Sequence, residues 1–251
     1  MVRRPLATSN VRDEWLRRVE AEYASAAIAQ HLTLWLTQVG ASADLVQAGL
    51  RIAWDEMIHA RMSHRVYRAA GGENVPSLVR EKLCLIRDAS SPLEHDVVRA
   101  AVGTFCIGET VAVPLFQKLR KACAVPIARR TLDRVLRDEV RHRDFGWTLL
   151  SSMLEGADHD ALRAVAEAAL ASGFVEVRSL YGHAGGVALS ASETAWGLMP
   201  TETYGAVVDA TLDRAWIPRF AKVGIDARIA WDRASRTLAS SGRKKPFELR
   251  A

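Results

Sequence analysis

Strict alternation of apolar and polar positions, the period-two signature of a half-buried strand, is scarce along this chain. Its apolar residues fall instead into long stretches bounded by Gly, Pro and Ser, so the predicted class is all-α. A first helix is predicted over residues 13–39, ending at Gly40. Ser42 then suits the N-cap of a second helix, which continues to about Ala70 before Gly71 and Gly72 stop it. Residues 71–92 form a long connection, with a short helix expected over 77–87. Ser91 as N-cap, Pro92 in the first turn and Glu94 three residues on predict the capped start of a third helix, which reaches about Ala122. Pro126 opens a fourth helix that ends near Gly156. Further helices are predicted over 158–181, 201–216 and 226–240. The glycine-rich stretch from Gly182 to Gly186 follows a helix and lacks a Lys-Ser/Thr end, so it reads as a loop rather than a phosphate cradle.

The two short links make two antiparallel hairpins, and the long connection returns the chain so that the second can pack on the first. The resulting organisation is a four-helix bundle over 1–156, further helices over 157–240 packed on it within the same domain, and a tail over 241–251.

Composition narrows this only a little. A chain of 251 residues with 49% hydrophobic and 25% charged residues has ample material for a buried core. No apolar signal segment follows Arg3 and Arg4, and no run of about 18 uninterrupted apolar residues occurs, so no membrane span is expected. Cys84, Cys106 and Cys123 lack metal-knuckle spacing and fit a reducing cytoplasm. The net charge of +5 comes from scattered basic residues, with one run at Arg243-Lys244-Lys245. A solvated surface is expected, not a nucleic-acid partner.

One motif changes the picture. Asp55-Glu56-Met57-Ile58-His59 and Asp138-Glu139-Val140-Arg141-His142 repeat the same D-E-x-x-H, and Glu22 and Glu109 sit on the helices before them. A Glu and a His three apart share a helix face and can share one metal ion. Glu22 to Glu109 spans 87 residues, and Glu56 to Glu139 and His59 to His142 both span 83, as in a duplicated hairpin. The set Glu22, Glu56, His59, Glu109, Glu139 and His142 supplies the six ligands of a dinuclear carboxylate site inside a four-helix bundle. Depth agrees. Glu109 and Glu139 each lie 15 residues from a turn centred at Ala124, whereas Glu22 lies 19 before and Glu56 and His59 lie 15 and 18 after a turn at Ala41. At about 1.5 Å per residue, these levels match within about one turn.

Glu109 is the only charge in the seventeen residues from Ala100 to Phe116, and a buried lone carboxylate demands a cation or a proton. Pro114 is expected to kink the helix one turn beyond it. On the first helix Glu20 and Glu22 are both candidates, and periodicity alone does not separate them. Asp55 and Asp138 lie about 100° around their helices from the neighbouring Glu and are expected to orient the ligand histidines across the hairpins, Asp55 to His142 and Asp138 to His59. Surface ion pairs with Arg51 or Arg141 are the alternative. Cys106, three before Glu109, is expected to share its face and could line the metal pocket, although a core cysteine is the expected role. Tyr23, Trp147 and Tyr181 are expected as core residues that could also shape a channel. Four carboxylates balance two divalent ions, and the oxygen and imidazole donors suit Fe or Mn.

At these motifs the chain resembles the ferritin-like superfamily of non-haem di-iron carboxylate proteins, over roughly residues 13–152. The resembling segments are Glu22-Tyr23-Ala24-Ser25, Asp55-Glu56-x-x-His59-Ala60-Arg61, Cys106-x-Gly108-Glu109-Thr110 and Asp138-Glu139-x-Arg141-His142. The resemblance favours Glu22 over Glu20. It implies two iron ions, or a Mn/Fe pair, held by both E-x-x-H motifs, with the Glu109 and Glu139 carboxylates bridging or shifting between metals. The expected function is an O2-dependent oxygenase or oxidase acting on a small organic substrate, with an external electron donor and a homodimeric state. The roughly 95 residues beyond the bundle motivate this choice over iron storage, ferroxidase or peroxide-scavenging roles. A tRNA hydroxylase and a metal-free interaction bundle are the remaining alternatives.

Overall fold

The computed structural model describes residues 7–155, 159–181 and 188–241, and no strand occurs among them. The glycine-rich stretch and the tail from residue 242 lie outside the described residues. Helix α1 (Ser9–Gln38) starts four residues earlier than expected because the Thr8 hydroxyl accepts from the Val11 amide at 3.3 Å. It ends at Gly40, whose φ of +70° is a conformation a side chain resists. Helix α2 (Ala43–Ala69) is capped by Ser42 as expected and stops at Gly71, with φ +84°.

The crossover holds only a 3-10 turn, Arg80–Lys82, in place of the expected short helix. Helix α3 (Leu93–Ala100) also departs from expectation. Its N-cap position is Pro92, and the Ser91 hydroxyl caps nothing. The reason is local: that hydroxyl accepts from Arg99 at 3.0 Å, and Arg87 takes the Ser91 carbonyl. The helix then continues as a π segment, Ala101–Glu109, before α4 (Thr110–Ala122). The expected irregularity therefore lies upstream of Pro114, which stands inside α4. Two features favour it there. Pro114 cannot donate back to Thr110, and Gly103 and Gly108 place no Cβ on the widened turns.

Helix α5 (Pro126–Leu154) completes the second hairpin. Helices α1 and α2 pack along each other, α2 packs on α5, and the π segment lies against α5. By length and apolarity the Leu93–Ala122 rod could cross a membrane, but 61% of its most apolar window is buried inside the protein, as in a core helix.

Helix α6 (His159–Tyr181) covers the π segment and α3. Beyond it come α7 (Ala191–Ala195), α8 (Thr201–Thr211), a second π segment (Leu212–Trp216), α9 (Ile217–Lys222) and α10 (Ala227–Ser241). Helix α7 was not expected. It is one turn held by a capping box, in which Ser190 accepts from the Glu193 amide and Glu193 accepts from the Ser190 amide. Helices α6, α8, α9 and α10 and the second π segment form one apolar cluster with the first π segment, α4 and α5, including Ile107, Leu150, Phe174, Trp216 and Phe220. Trp216 Nε1 donates to the Cys106 carbonyl at 3.0 Å, inside the π segment.

Two more clusters decide where a polar site can exist. One, with Leu32, Leu36, Ile52, Phe105 and Leu149, fills the end nearest the Ala41 turn. The other, with Trp15, Val66, Tyr67, Leu119 and Leu132, fills the opposite end. Along α1, α2, the π–α4 rod and α5, the residues between these plugs are Glu22, Glu56 with His59, Glu109, and Glu139 with His142. Each rod carries its polar side chains at its waist.

Candidate metal centre

At this waist the six predicted side chains meet. They form two groups whose donor atoms lie within 4.8 Å of one another: Glu22, Glu56, His59 and Glu139, and Glu56, Glu109, Glu139 and His142. Glu56 and Glu139 belong to both. Glu109 falls in one group only, whereas Glu56 faces both imidazoles. Its Oε2 is 3.4 Å from His59 Nδ1 and its Oε1 is 3.0 Å from His142 Nδ1. Glu22 completes the first group, 3.6 Å from His59 Nδ1. Glu20 is in neither group and accepts from the Ser77 amide at 2.6 Å.

All of the six except Glu109 are buried. The two histidine rings lie 5.8 Å apart, each turning Nδ1 toward the carboxylates. The Nδ1 atoms of both histidines and one oxygen each of Glu56 and Glu139 have no hydrogen-bond partner. Buried polar atoms are nearly always paired, and unpaired ones cost about 1–3 kcal/mol each. These orphaned donors converge on a shared centre, so the residues present fit a metal ion.

The electrostatics agree with a site built for positive charge. Burial and the neighbouring Glu56 push Glu22 up to about 8, and burial with Glu139 pushes Glu109 well above the carboxylate range. Burial opposes charge on Glu56 too, but His142 and His59 outweigh it and hold Glu56 well below that range. His59 is likewise desolvated, yet Asp138, Glu22 and Glu56 raise it to about 12, and His142 is raised in the same way by Asp55, Glu139 and Glu56. Without a cation, protons hold this cluster together.

Of the two expected cross-hairpin pairs, Asp138 with His59 forms a hydrogen bond and Asp55 with His142 does not. His59 Nε2 lies 3.1 Å from Asp138 Oδ2, a hydrogen bond that keeps the proton on Nε2 and leaves Nδ1 for the centre. His142 Nε2 lies 3.8 Å from Asp55, an ion-pair distance rather than a hydrogen bond. The alternative partners are present as well. Arg141 Nη2 reaches Asp55 at 2.9 Å and Asp138 at 2.6 Å, and Arg51 lies 3.7 Å from Asp55. Arg134 also bridges the two aspartates, at 3.1 Å to Asp55 and in a close pair with Asp138. Arg134 was missed from the sequence, although its position four before Asp138 puts both on one face.

Cys106 is in neither group. Its sulfur is buried and lies 3.5 Å from the Gly146 carbonyl. The i→i+5 turns of the π segment carry a residue three earlier off the face of Glu109, which an α-helical count does not anticipate. Trp147 is a core residue, donating to the Thr110 hydroxyl at 3.0 Å, and Tyr181 stacks on Tyr204 at 5.7 Å. Tyr23, expected in the core, is 38% exposed. No family model matches this chain, and none of the curated proteins compared with it is significantly similar.

Proposed function

We propose that this protein is a ferritin-like non-haem di-iron oxidoreductase, an oxygenase or oxidase that uses dioxygen on a small organic substrate. The observation that carries the reading is the pair of interlocked ligand groups: each has its own histidine and its own carboxylate, and Glu56 and Glu139 serve both. A doubled donor set of this kind suits two adjacent divalent ions, and four carboxylates match their charge. Oxygen and imidazole donors without a thiolate favour iron or manganese over softer metals. Two ferrous ions held there would supply dioxygen activation, with further electrons from a donor outside the chain.

The chain's own residues do the rest. Asp138 fixes the His59 tautomer, and the Arg134–Arg141 pair holds Asp138 and Asp55 in place from the outer side. The apolar plugs at both ends exclude bulk water from the waist, which strengthens every charge interaction inside it. Helix α6 and Trp216 cover the π segment next to Glu109, part of a layer that a minimal iron-handling bundle does not need.

The test is metal analysis followed by single-turnover dioxygen uptake. Protein loaded with ferrous iron is expected to hold about two ions per chain and to consume dioxygen, and Glu56→Ala is expected to abolish both. Dioxygen uptake that survives in Glu56→Ala overturns the reading, and a hollow multimeric shell on size exclusion turns it toward iron storage.

A further inference from the structure

An open cleft of about 530 Å³ lies between α4, α5, α8 and the second π segment, in the size range of small-molecule sites. Its charge is one-sided. Lys118 and Lys121 from α4, Arg143 from α5, Arg214 from the second π segment and Arg219 from α9 all line it, and no carboxylate does so among the described residues. Like charges gathered around one hollow repel one another, so the arrangement is unfavourable unless an anion offsets it. Arg143 has an acidic partner, Asp144 at 2.8 Å. Lys118, Lys121 and Arg214 form no ion pair among the described residues. Arg219 sits 5.7 Å from the centre of the Trp147 ring, and burial together with the nearby Arg143 lowers its pKa.

The depth of the cleft differs from its mouth. Lys118, Lys121 and Arg214 are exposed, whereas Val113, Val207 and Thr110 beneath them are buried. A hollow with a cationic rim and an apolar floor sorts its ligand: a charged head stays at the rim and an uncharged body goes inward. The one-sided rim excludes cations, and the floor gives a bare inorganic anion little to hold.

We propose that this cleft binds a small amphipathic anion, a carboxylate or phosphate monoester on an apolar body, with its head among Lys118, Lys121 and Arg214 and its body against Val113 and Val207. The site is distinct from the carboxylate cluster and does not depend on metal there, so it is tested on metal-free protein.

Calorimetric titration of the full chain with decanoate and with decyl phosphate, each below its micellar concentration, is expected to give saturable binding of about one ligand per chain. Decyltrimethylammonium, which has the same body and the opposite charge, and inorganic phosphate, which has no body, are each expected to bind at least about tenfold more weakly. The double variant Lys118→Gln/Arg214→Gln changes exposed side chains only and is expected to weaken decanoate binding about tenfold. Ala210→Trp fills the hollow while keeping every charge and is expected to abolish binding, with circular dichroism confirming that both variants are folded. Equal binding of decanoate and decyltrimethylammonium overturns the proposal, as does unchanged binding in the folded double variant. Binding to phosphatidylglycerol-containing vesicles without binding of the monomeric anions also overturns it, in favour of a membrane-facing surface.

Discussion

The two carboxylates that serve both ligand groups separate the effects of single substitutions. Glu22→Ala removes a donor from one group and leaves Glu56, Glu109, Glu139 and His142 intact. It is expected to lower bound metal from about two ions per chain to about one, read by elemental analysis after iron loading. Glu139→Ala is expected to lower it to nearly none, because both groups lose a donor. Protonation works on the same atoms. Glu22, raised to about 8, holds a proton at pH 7 in the metal-free protein, and His59, raised to about 12, holds one on each ring nitrogen. A metal ion must displace the Glu22 proton and the Nδ1 proton of His59. Metal binding at pH 7 is therefore expected to acidify a weakly buffered solution, and affinity is expected to fall as the pH drops below about 8. Affinity that stays constant from pH 8 to pH 6 would contradict this assignment of protons.

Among the elements, the first π segment shapes its surroundings most. It presses on α5 at Gly146, where an added Cβ would lie 2.3 Å from the Cβ of Phe105 and 3.0 Å from its backbone carbonyl carbon. Gly146→Ala is thus expected to destabilise the fold by about 1–3 kcal/mol, measured by denaturant unfolding, despite the better helix propensity of alanine. Much of this level was legible in advance. The ends of α1, α2 and α5 follow from Gly40, Ser42, Gly71 and Pro126, because a cap or a left-handed turn is written in one or two adjacent residues. The meeting of these Glu and His side chains was legible for a similar reason: the i, i+3 spacing of Glu and His survives any rearrangement outside its own helix. The π segment was not legible, since its apolar sequence suits an α-helix as well, and Pro114, Gly103 and Gly108 favour the wider turn only together with packing against α5 and α6. Cys106 is the core cysteine expected, and only its shared face with Glu109 is lost to that wider turn. Arg134 was missed although Asp138 lies four residues on, because its bridging role needs Asp55 from another helix. The Ser91 hydroxyl was misjudged because Arg99 reaches back to it from the next helix turns.

At the scale of the molecule, the C-terminal third is tied to the start of the chain. Glu193 accepts from the hydroxyl of Thr8 and the amide of Asn10, both at 2.9 Å, and from Ser190. Trp15 Nε1 and Arg18 Nη2 reach the Trp196 and Gly197 carbonyls at 3.0 and 2.9 Å. The Ser190 amide and hydroxyl, with Thr8, hold Glu193 down at about 2. A carboxylate depressed in the folded state contributes stability above its ordinary range near 4.5, and that contribution is lost as the pH falls toward 2. Glu193→Gln is expected to cost about 1–2 kcal/mol near neutral pH and progressively less on acidification. Hydrogen exchange at the first amides of α1 would report it, and equal protection in both proteins at pH 7 would refute it.

The two apolar plugs also dictate a route. Trp15, Val66 and Leu132 seal the rods at one end, and Leu36, Ile52 and Leu149 seal them at the other, so nothing can travel lengthwise to the ligands. Of the six, Glu109 is the least buried. Any approach to the cluster is therefore expected from the side, along the flank of the π segment where Glu109 stands.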